Sequence, residues 1–116
     1  MKKVNFAMYM KDRKDIVDEI RRIVKTVAPT AEAFLYGSEA RGEARADSDI
    51  DILVLMDGTG DRLTLAEEDV VRWPLYELEL QSGVLISPLI MLKKNWYDRP
   101  IKSPFYHNVM REGIRL

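Results

Sequence analysis

The 116-residue sequence contains no cysteine and a single histidine. The lack of cysteine excludes a disulfide framework, thiol catalysis and thiolate zinc sites, and it is compatible with the cytoplasm. An excess of either charge is also missing, because 18 Lys and Arg residues are interspersed with 19 Asp and Glu residues. A chain without a basic field does not hold long nucleic acid through many phosphate contacts, so we expect no extended DNA or RNA partner.

Long hydrophobic runs are missing as well. No segment reaches the roughly 20 apolar residues that a membrane-spanning helix requires, so we expect no membrane partner. The first residues, Met1-Lys2-Lys3, precede a short apolar stretch that Asn5 interrupts and the charged run 11–15 follows. Such a start is too brief and too charged for a secretion signal. We therefore expect a cytoplasmic protein.

The hydrophobic pattern predicts three main helical segments. Apolar residues recur at helical spacing between charged neighbours in the first segment, which ends before Pro29 and whose charges should form a solvated face. The second covers about 63–81, and Pro74 should kink or split it. The third is a short helix over 105–111, which follows an irregular stretch at 95–104.

Strands are predicted between these helices, because runs of β-branched and aliphatic residues are bounded by turn residues. Pro88 removes one backbone donor from the last strand, which indicates an edge strand or a bulge. With a short helix over 39–42, helices and strands alternate as in an α/β domain with a small mixed sheet. We expect residues 1–116 to form a single domain. The predicted strands cover residues 31–36, 49–56 and 84–92.

The pair Asp49 and Asp51 stands at the head of an apolar run that reads as a buried strand. Side chains at i and i+2 of a strand share one face and lie roughly 7 Å apart. Two carboxylates directed at one spot repel each other unless a cation joins them. A small number of hard oxygen ligands suits Mg²⁺, which completes its shell with substrate phosphate oxygens. The pair therefore predicts a metal–nucleotide site.

The strand before this pair ends at Gly37-Ser38, a glycine free in its backbone angles followed by a small hydroxyl. This pattern is typical of a strand-to-helix turn. If Ser38 caps a helix over 39–42, its hydroxyl and the free amides of the first turn form an anion site for phosphate. Arg41 and Arg45 could add charge-assisted hydrogen bonds to the same anion.

Other interpretations of these motifs fit the sequence less well. An Asp-x-Asp after a turn is common in solvated strands and means little alone. Asp47 begins a calcium-loop pattern, but Ile52 stands at the position of the turn glycine and Gly58 at that of the bidentate glutamate. The glycines on either side of Ser-Glu-Ala-Arg have P-loop spacing, but Glu43-Ala44 follow where Lys and Ser or Thr are needed. Neither a calcium loop nor a P-loop fits.

The segment from Leu35 to Val54, which contains Gly37-Ser38 and Asp49-Ile50-Asp51, closely resembles the signature of the minimal nucleotidyltransferases of the MntA-like antitoxin type. These are small members of the polymerase-beta-like nucleotidyltransferase superfamily. The resemblance implies the fold of that superfamily, a small mixed β-sheet flanked by helices. It also implies a nucleotidyl transfer reaction.

The resemblance assigns roles to individual residues. Gly37 and Ser38 would hold the triphosphate of ATP or another nucleoside triphosphate. Asp49 and Asp51 would be catalytic and would bind Mg²⁺, with Mn²⁺ as an alternative. The metal would lower the pKa of the attacking hydroxyl and stabilise the leaving pyrophosphate in an in-line displacement at the α-phosphorus.

The sequence departs from the family pattern at the third carboxylate, which usually comes from a later strand. Ser87-Pro88 stands near the middle of the candidate strand, and that strand contains no acidic residue. Glu77 or Glu79, just upstream, could substitute if the alignment shifts. Their pattern favours instead the solvated side of a helix. Turnover is therefore less secure than binding of metal and nucleotide.

The resemblance also suggests a partner. Minimal nucleotidyltransferases are often encoded beside a small helical protein of the HEPN class, with which they form toxin–antitoxin pairs, and some attach AMP to a tyrosine of that partner. A chain of 116 residues has no room for a separate acceptor-binding domain, so the acceptor site would come from another chain or from self-association. Two functions stay open: transfer of a nucleoside monophosphate, or a binding module that neutralises a partner by occlusion.

Overall fold

The computed structural model describes residues 12–116. The predicted absence of a secretion signal concerns residues before this range and lies outside the described part of the chain. None of the helices within 12–116 has the length and apolar character needed to cross a membrane. In chain order the elements are α1 (Arg13–Val27), β1 (Glu32–Tyr36), α2 (Gly37–Ala40), β2 (Ile50–Met56), α3 (Leu65–Ser82), β3 (Ile86–Leu92), α4 (Lys93–Tyr97), α5 (Pro104–Glu112) and β4 (Ile114–Arg115).

The described strands form one mixed sheet in the order β3-β2-β1-β4. β1 is antiparallel to both β2 and β4, whereas β2 and β3 are parallel because α3 returns the chain between them. Pro88 lies on β3, at the edge of the sheet, where a missing backbone donor is tolerated. The predicted mixed sheet and the predicted edge position of this strand are confirmed.

Two apolar clusters cover the two faces of the sheet. On the larger side, α1 and α3 pack on alternate residues of the strands, and Ile20, Ile52 and Val71 are completely buried there. The smaller cluster joins Leu53 and other residues of β1 and β2 to Trp96 of α4 and to α5. Because side chains alternate along β2, Asp51 shares the face of the smaller cluster. The larger cluster thus fixes β2 from behind, and the carboxylate projects from the opposite face.

The helices differ from the predicted ones in two places. α3 continues through Pro74 without a break, so the prediction of a split helix is wrong. Its buried residues Val71, Leu75 and Leu78 hold both halves on the sheet, and this packing outweighs the loss of one backbone hydrogen bond. A capping box between Thr64 and Glu67 stabilises its start.

The stretch predicted to be irregular, 95–104, is partly helical. Residues up to Tyr97 belong to α4, and Pro104 is the first residue of α5. Proline is favoured at this position since its missing N–H is not needed there, and Ser103 caps the helix by accepting a hydrogen bond from Tyr106 N–H. The two-residue β4 had no detectable sequence pattern because it is too short to show alternation.

Candidate active site

The two aspartates lie where β2 begins. Asp51 is the second residue of β2 and is partly buried, and the exposed Asp49 directly precedes the strand. In the sheet register, Asp51 stands between Tyr36 of β1 and Ser87 of β3. Both residues therefore lie at the same end of β2, although β2 begins at Ile50 and so does not include Asp49, as the predicted strand over 49–56 did.

The Gly37-Ser38 turn lies directly against Asp51. The chain leaves β1 at Tyr36 and enters α2 at Gly37, whose φ is +72°, in the region that favours glycine. A Cβ atom at Gly37 would lie 2.6 Å from Asp51 Oδ2, closer than any side chain tolerates. The contact brings the predicted phosphate turn and a predicted metal ligand to the same place.

The start of α2 differs from the prediction. The helix covers Gly37–Ala40 rather than 39–42, and Tyr36 occupies the cap position without a side-chain hydrogen bond. The prediction that Ser38 caps this helix is therefore wrong: the positive φ of Gly37 lets the helix begin directly after the strand, and Ser38 falls within its first turn. The Ser38 hydroxyl makes no hydrogen bond with any residue in the described range, 12–116.

The two arginines occupy different surroundings. Arg41 approaches Glu43 Oε2 at 3.4 Å and Glu112 Oε2 at 3.7 Å, and it is close enough to Asp51 for its positive charge to lower that residue's pKa. The guanidinium of Arg45 pairs with no residue between 12 and 116, and only the backbone of Arg45 is fixed, by a hydrogen bond to Ser48 Oγ. The structure thus brings Arg41 to the aspartates, whereas a phosphate contact of Arg45 stays a prediction.

The electrostatics of the site favour a cation. Burial raises the pKa of Asp51, the nearby negative charge of Asp49 raises it further, and Arg41 offsets part of this rise. Burial and then the charge of Asp51 also raise the pKa of Tyr36. The charge of Asp49 thus disfavours ionisation of Asp51, and two neighbouring carboxylates suit a divalent cation with oxygen ligands, so the residues present fit Mg²⁺ or Mn²⁺.

Among residues 12–116, no third carboxylate joins this pair. Ser87 stands beside Asp51 in the register and donates its hydroxyl to Asp49 Oδ2 at 3.2 Å. Glu77 is exposed on α3 and Glu79 accepts a hydrogen bond from the backbone N–H of Ile86, so neither reaches the aspartates. Within the described range, no group of three or more acidic, histidine or cysteine side chains is arranged to hold a metal ion. A metal here would need phosphate oxygens to complete its shell.

Arg13 was missed by the sequence reasoning, which placed the charges of the first helix on a solvated face. Its guanidinium donates to Glu39 Oε2 at 2.9 Å, to the Ala46 carbonyl at 3.3 Å and to the Ser48 carbonyl at 2.7 Å. The sequence around an arginine at the start of a charged helix does not indicate that residues far away in the chain contact its side chain.

The family model described as a nucleotidyltransferase domain matches residues 17–104 of the chain. The chain belongs to the nucleotidyltransferase family. Two curated relatives of this nucleotidyltransferase come from Methanocaldococcus jannaschii. One, named "Putative protein adenylyltransferase MJ0141", is 28% identical over 104 residues, which are 88% of this chain and 96% of the relative. The other, "Putative protein adenylyltransferase MJ0604", is 32% identical over 80 residues, 69% of this chain and 71% of the relative.

Two solved structures resemble the nucleotidyltransferase. One, described as "Structure of putative minimal nucleotidyltransferase", superposes with a TM-score of 0.59 at 26% identity, over 90% of this chain and 96% of that chain. The other, described as a toxin–antitoxin with AMP-PNP, has a TM-score of 0.56 at 22% identity, over 84% of this chain and 69% of that chain. The predicted minimal nucleotidyltransferase family and the predicted fold are confirmed.

The contact between Gly37 and Asp51 yields a first prediction. Gly37→Ala should abolish nucleotide-dependent Mn²⁺ binding, because the new Cβ would displace the Asp51 carboxylate. Gly42→Ala is the matched control, since Gly42 has the same φ of +72° but nothing lies within 4 Å of its Cβ position. Both variants should lose about 1–2 kcal/mol of stability to backbone strain. Calorimetry with Mn²⁺ and a non-hydrolysable ATP analogue measures binding, and equal binding by the two variants would contradict the prediction.

The raised pKa of Asp51 yields a second prediction. An acid whose pKa is higher in the folded than in the unfolded chain contributes stability at low pH that is lost as its carboxyl ionises. In the metal chelator EDTA at pH 7, Asp51→Asn should therefore melt at a higher temperature than the wild type. The difference should disappear as the pH falls below about 3.9, the ordinary carboxyl value, since Asp51 is then protonated in both states.

The matched control is Asp47→Asn, which removes the same charge from an exposed turn. Thermal melts of the three proteins between pH 3.5 and 7 make the comparison. An equal gain in melting temperature for Asp47→Asn would mean that net charge, rather than the surroundings of Asp51, causes the effect.

Proposed function

We propose that the protein transfers a nucleoside monophosphate, in the first instance AMP from ATP, to a hydroxyl of a protein or small acceptor. The observation that carries this proposal is the contact of the Gly37-Ser38 turn with the Asp51 carboxylate. A triphosphate held by the turn would reach the metal ligands without any movement of the chain.

In the proposed reaction, the acceptor oxygen forms a bond to the α-phosphorus while the bond from that phosphorus to the bridging oxygen breaks. Pyrophosphate leaves and the hydroxyl proton is released. Asp49 and Asp51 would hold Mg²⁺, or Mn²⁺ in its place, which when bound supplies positive charge to the phosphates and lowers the pKa of the attacking hydroxyl. The Ser38 hydroxyl and the amides after Gly37 would hold the triphosphate.

The arginines would neutralise the remaining phosphate charge. Arg41 lies near Asp51 and is half-exposed, so its weak pairs with Glu43 and Glu112 can be exchanged for a phosphate. The guanidinium of Arg45 has no partner within the described range and would add a second contact to the phosphates.

The relatives support the choice of nucleotide and acceptor. Both curated relatives are named as protein adenylyltransferases, and one of the similar structures is a toxin–antitoxin with AMP-PNP. We propose that residues 1–116 form one domain without a separate acceptor module and that the acceptor is another cytoplasmic chain. A small helical HEPN-class toxin is the proposed partner, for which this protein would serve as the antitoxin, with self-association as the alternative.

The second candidate function is a binding module that keeps the nucleotidyltransferase fold and neutralises its partner by occlusion. The side chain of Ser87 favours it, because a hydroxyl stands beside Asp49 where a third carboxylate would help to activate the acceptor. The intact pair of aspartates and the close Gly37 contact favour the transferase.

Transfer of label from nucleotide to protein tests the choice. The protein is incubated with each nucleoside triphosphate labelled at the α-phosphate and with Mg²⁺ or Mn²⁺, with and without lysate of its host. The Asp49→Asn/Asp51→Asn variant is the control. We expect a labelled protein band, strongest with ATP, that the double variant does not produce.

The outcomes separate the two functions. Label that disappears in the double variant supports transfer, and mass spectrometry of the band identifies the modified residue. No label from any nucleotide, together with a partner that copurifies equally well with the double variant, would overturn the transferase proposal in favour of occlusion.

A change at Ser87 tests whether the missing carboxylate limits turnover. Ser87→Asp places a third carboxylate in register with Asp51 and beside Asp49. We expect Mn²⁺ to bind about tenfold more tightly in the presence of nucleotide, because ligand charge increases cation affinity, and label transfer to become faster. In EDTA the variant should melt at a lower temperature, since three like charges repel. Ser87→Asn, similar in size but uncharged, should show neither effect, and equal behaviour of the two variants would contradict the prediction.

A further inference from the structure

One guanidinium connects three parts of the chain around the candidate active site. Arg13, the first residue of α1, donates to the Glu39 side chain on α2 and to the carbonyls of Ala46 and Ser48 in the loop that leads to β2. The side chains of Arg13 and Glu39 are only 18% and 12% exposed. A pair so shielded from water holds its geometry better than an exposed surface ion pair.

The contact with Ser48 bears directly on Asp49. The Ser48 carbonyl and the Asp49 N–H belong to the same planar peptide group. On the other side of Asp49, the N–H of Ile50 donates to the Leu85 carbonyl at 2.9 Å. Both peptide planes next to the Asp49 Cα are therefore held, one by Arg13 and one by Leu85, and they set the direction of the Asp49 Cα–Cβ bond, while Ser87 contacts the carboxylate itself.

Among residues 12–116, backbone hydrogen bonds tie the start of this loop to α2 and Ser87 ties its end to β3, whereas Arg13 connects its middle to α1. Residues 41–49 contain neither helix nor strand, and the bonds between Ser48 and Arg45 tie the loop only to itself. Arg13 connects it to α1, whose Ile16 and Ile20 are buried in the larger apolar cluster. Ala46 and Ser48 in the middle of the loop are thus connected to the core through Arg13.

We propose that Arg13 is a positioning residue, which fixes the Asp49 carboxylate relative to the Gly37-Ser38 turn. The link to the turn passes through Glu39, which lies in α2 directly after Ser38. The importance of Arg13 for nucleotidyl transfer rests on the proposed function, whereas its contacts with the loop do not depend on that function. The hydrogen bonds of Arg13 do not reach the side chain of Asp49 or of Asp51. Arg13 would therefore affect the reaction only by positioning other residues.

Hydrogen exchange measured by NMR tests the hold on the loop. Arg13→Gln should increase the exchange rates of the backbone amides at 43–49 by about tenfold or more, because the loop loses its connections to α1. Arg21→Gln is the matched control, since Arg21 lies on the same helix and, among residues 12–116, its side chain pairs only with its near neighbour Asp18. Arg21→Gln should leave the exchange rates of these amides unchanged.

Binding of Mn²⁺ in the presence of a non-hydrolysable ATP analogue tests the effect on the site. Arg13→Gln should weaken it about 10–100-fold, the usual effect of removing a group that orients metal ligands. Arg13→Lys keeps the charge but not the planar fork, and it should not restore binding. If Arg13→Gln does not fold, Glu39→Gln removes the charge of the pair with little change in shape, and it should weaken binding in the same direction.

The outcomes separate the inference from the proposed function. Unchanged exchange at 43–49 in Arg13→Gln, or faster exchange with unchanged Mn²⁺ affinity, would overturn the positioning role. An equal loss in Arg21→Gln would do the same. If the wild type binds no Mn²⁺ with any nucleotide, the proposed function fails, and the role of Arg13 toward catalysis fails with it, while the exchange data still decide whether Arg13 holds the loop.

Discussion

The approach of the Gly37 backbone to the Asp51 carboxylate is the constraint on which the site depends. No other residue type permits it, since a Cβ would lie 2.6 Å from the carboxylate oxygen. The absence of a side chain also permits the positive φ of Gly37, and this φ lets α2 begin directly after β1. The same glycine thus sets the position of the Ser38 hydroxyl and the distance from the phosphate turn to the metal ligands. Under the proposed function, that distance would link metal binding to nucleotide binding, because the two described carboxylates alone would not give a metal ion a full set of ligands.

Much of the fold followed from local patterns in the sequence. The i, i+2 spacing of Asp49 and Asp51 indicated a shared side of a strand, and Pro88 indicated an edge strand. The edge position held because it depends on the missing backbone donor of proline, which neighbouring residues cannot change, whereas the strand proved to begin at Ile50, after Asp49. The uninterrupted helix through Pro74 did not follow, since its stability comes from core contacts with residues far away in the chain. Local propensity is outweighed where burial is extensive.

The site was less predictable than the fold. Its residue types were visible in the motif, but the arrangement depends on contacts between distant segments. Arg13 reaches Glu39 and Ser48 across 26 and 35 positions, and Ser87 reaches Asp49 across 38. The role proposed for Ser38 as a helix cap was wrong because the sequence does not show at which residue a helix begins after a positive φ. The periodicity of apolar residues indicates which face of a helix or strand is buried. It gives no information on contacts between residues that are far apart in the chain.

These long separations bear on how the protein matures. A contact across 26 to 38 positions forms only after large loops have closed, and closing them is entropically unfavourable until the core has assembled. A fragment that lacks α1 or β3 therefore lacks part of the candidate site, and a partly folded molecule has the motif without the geometry. Nucleotide binding would report on completed folding, so that newly synthesised or damaged chains are inactive by default.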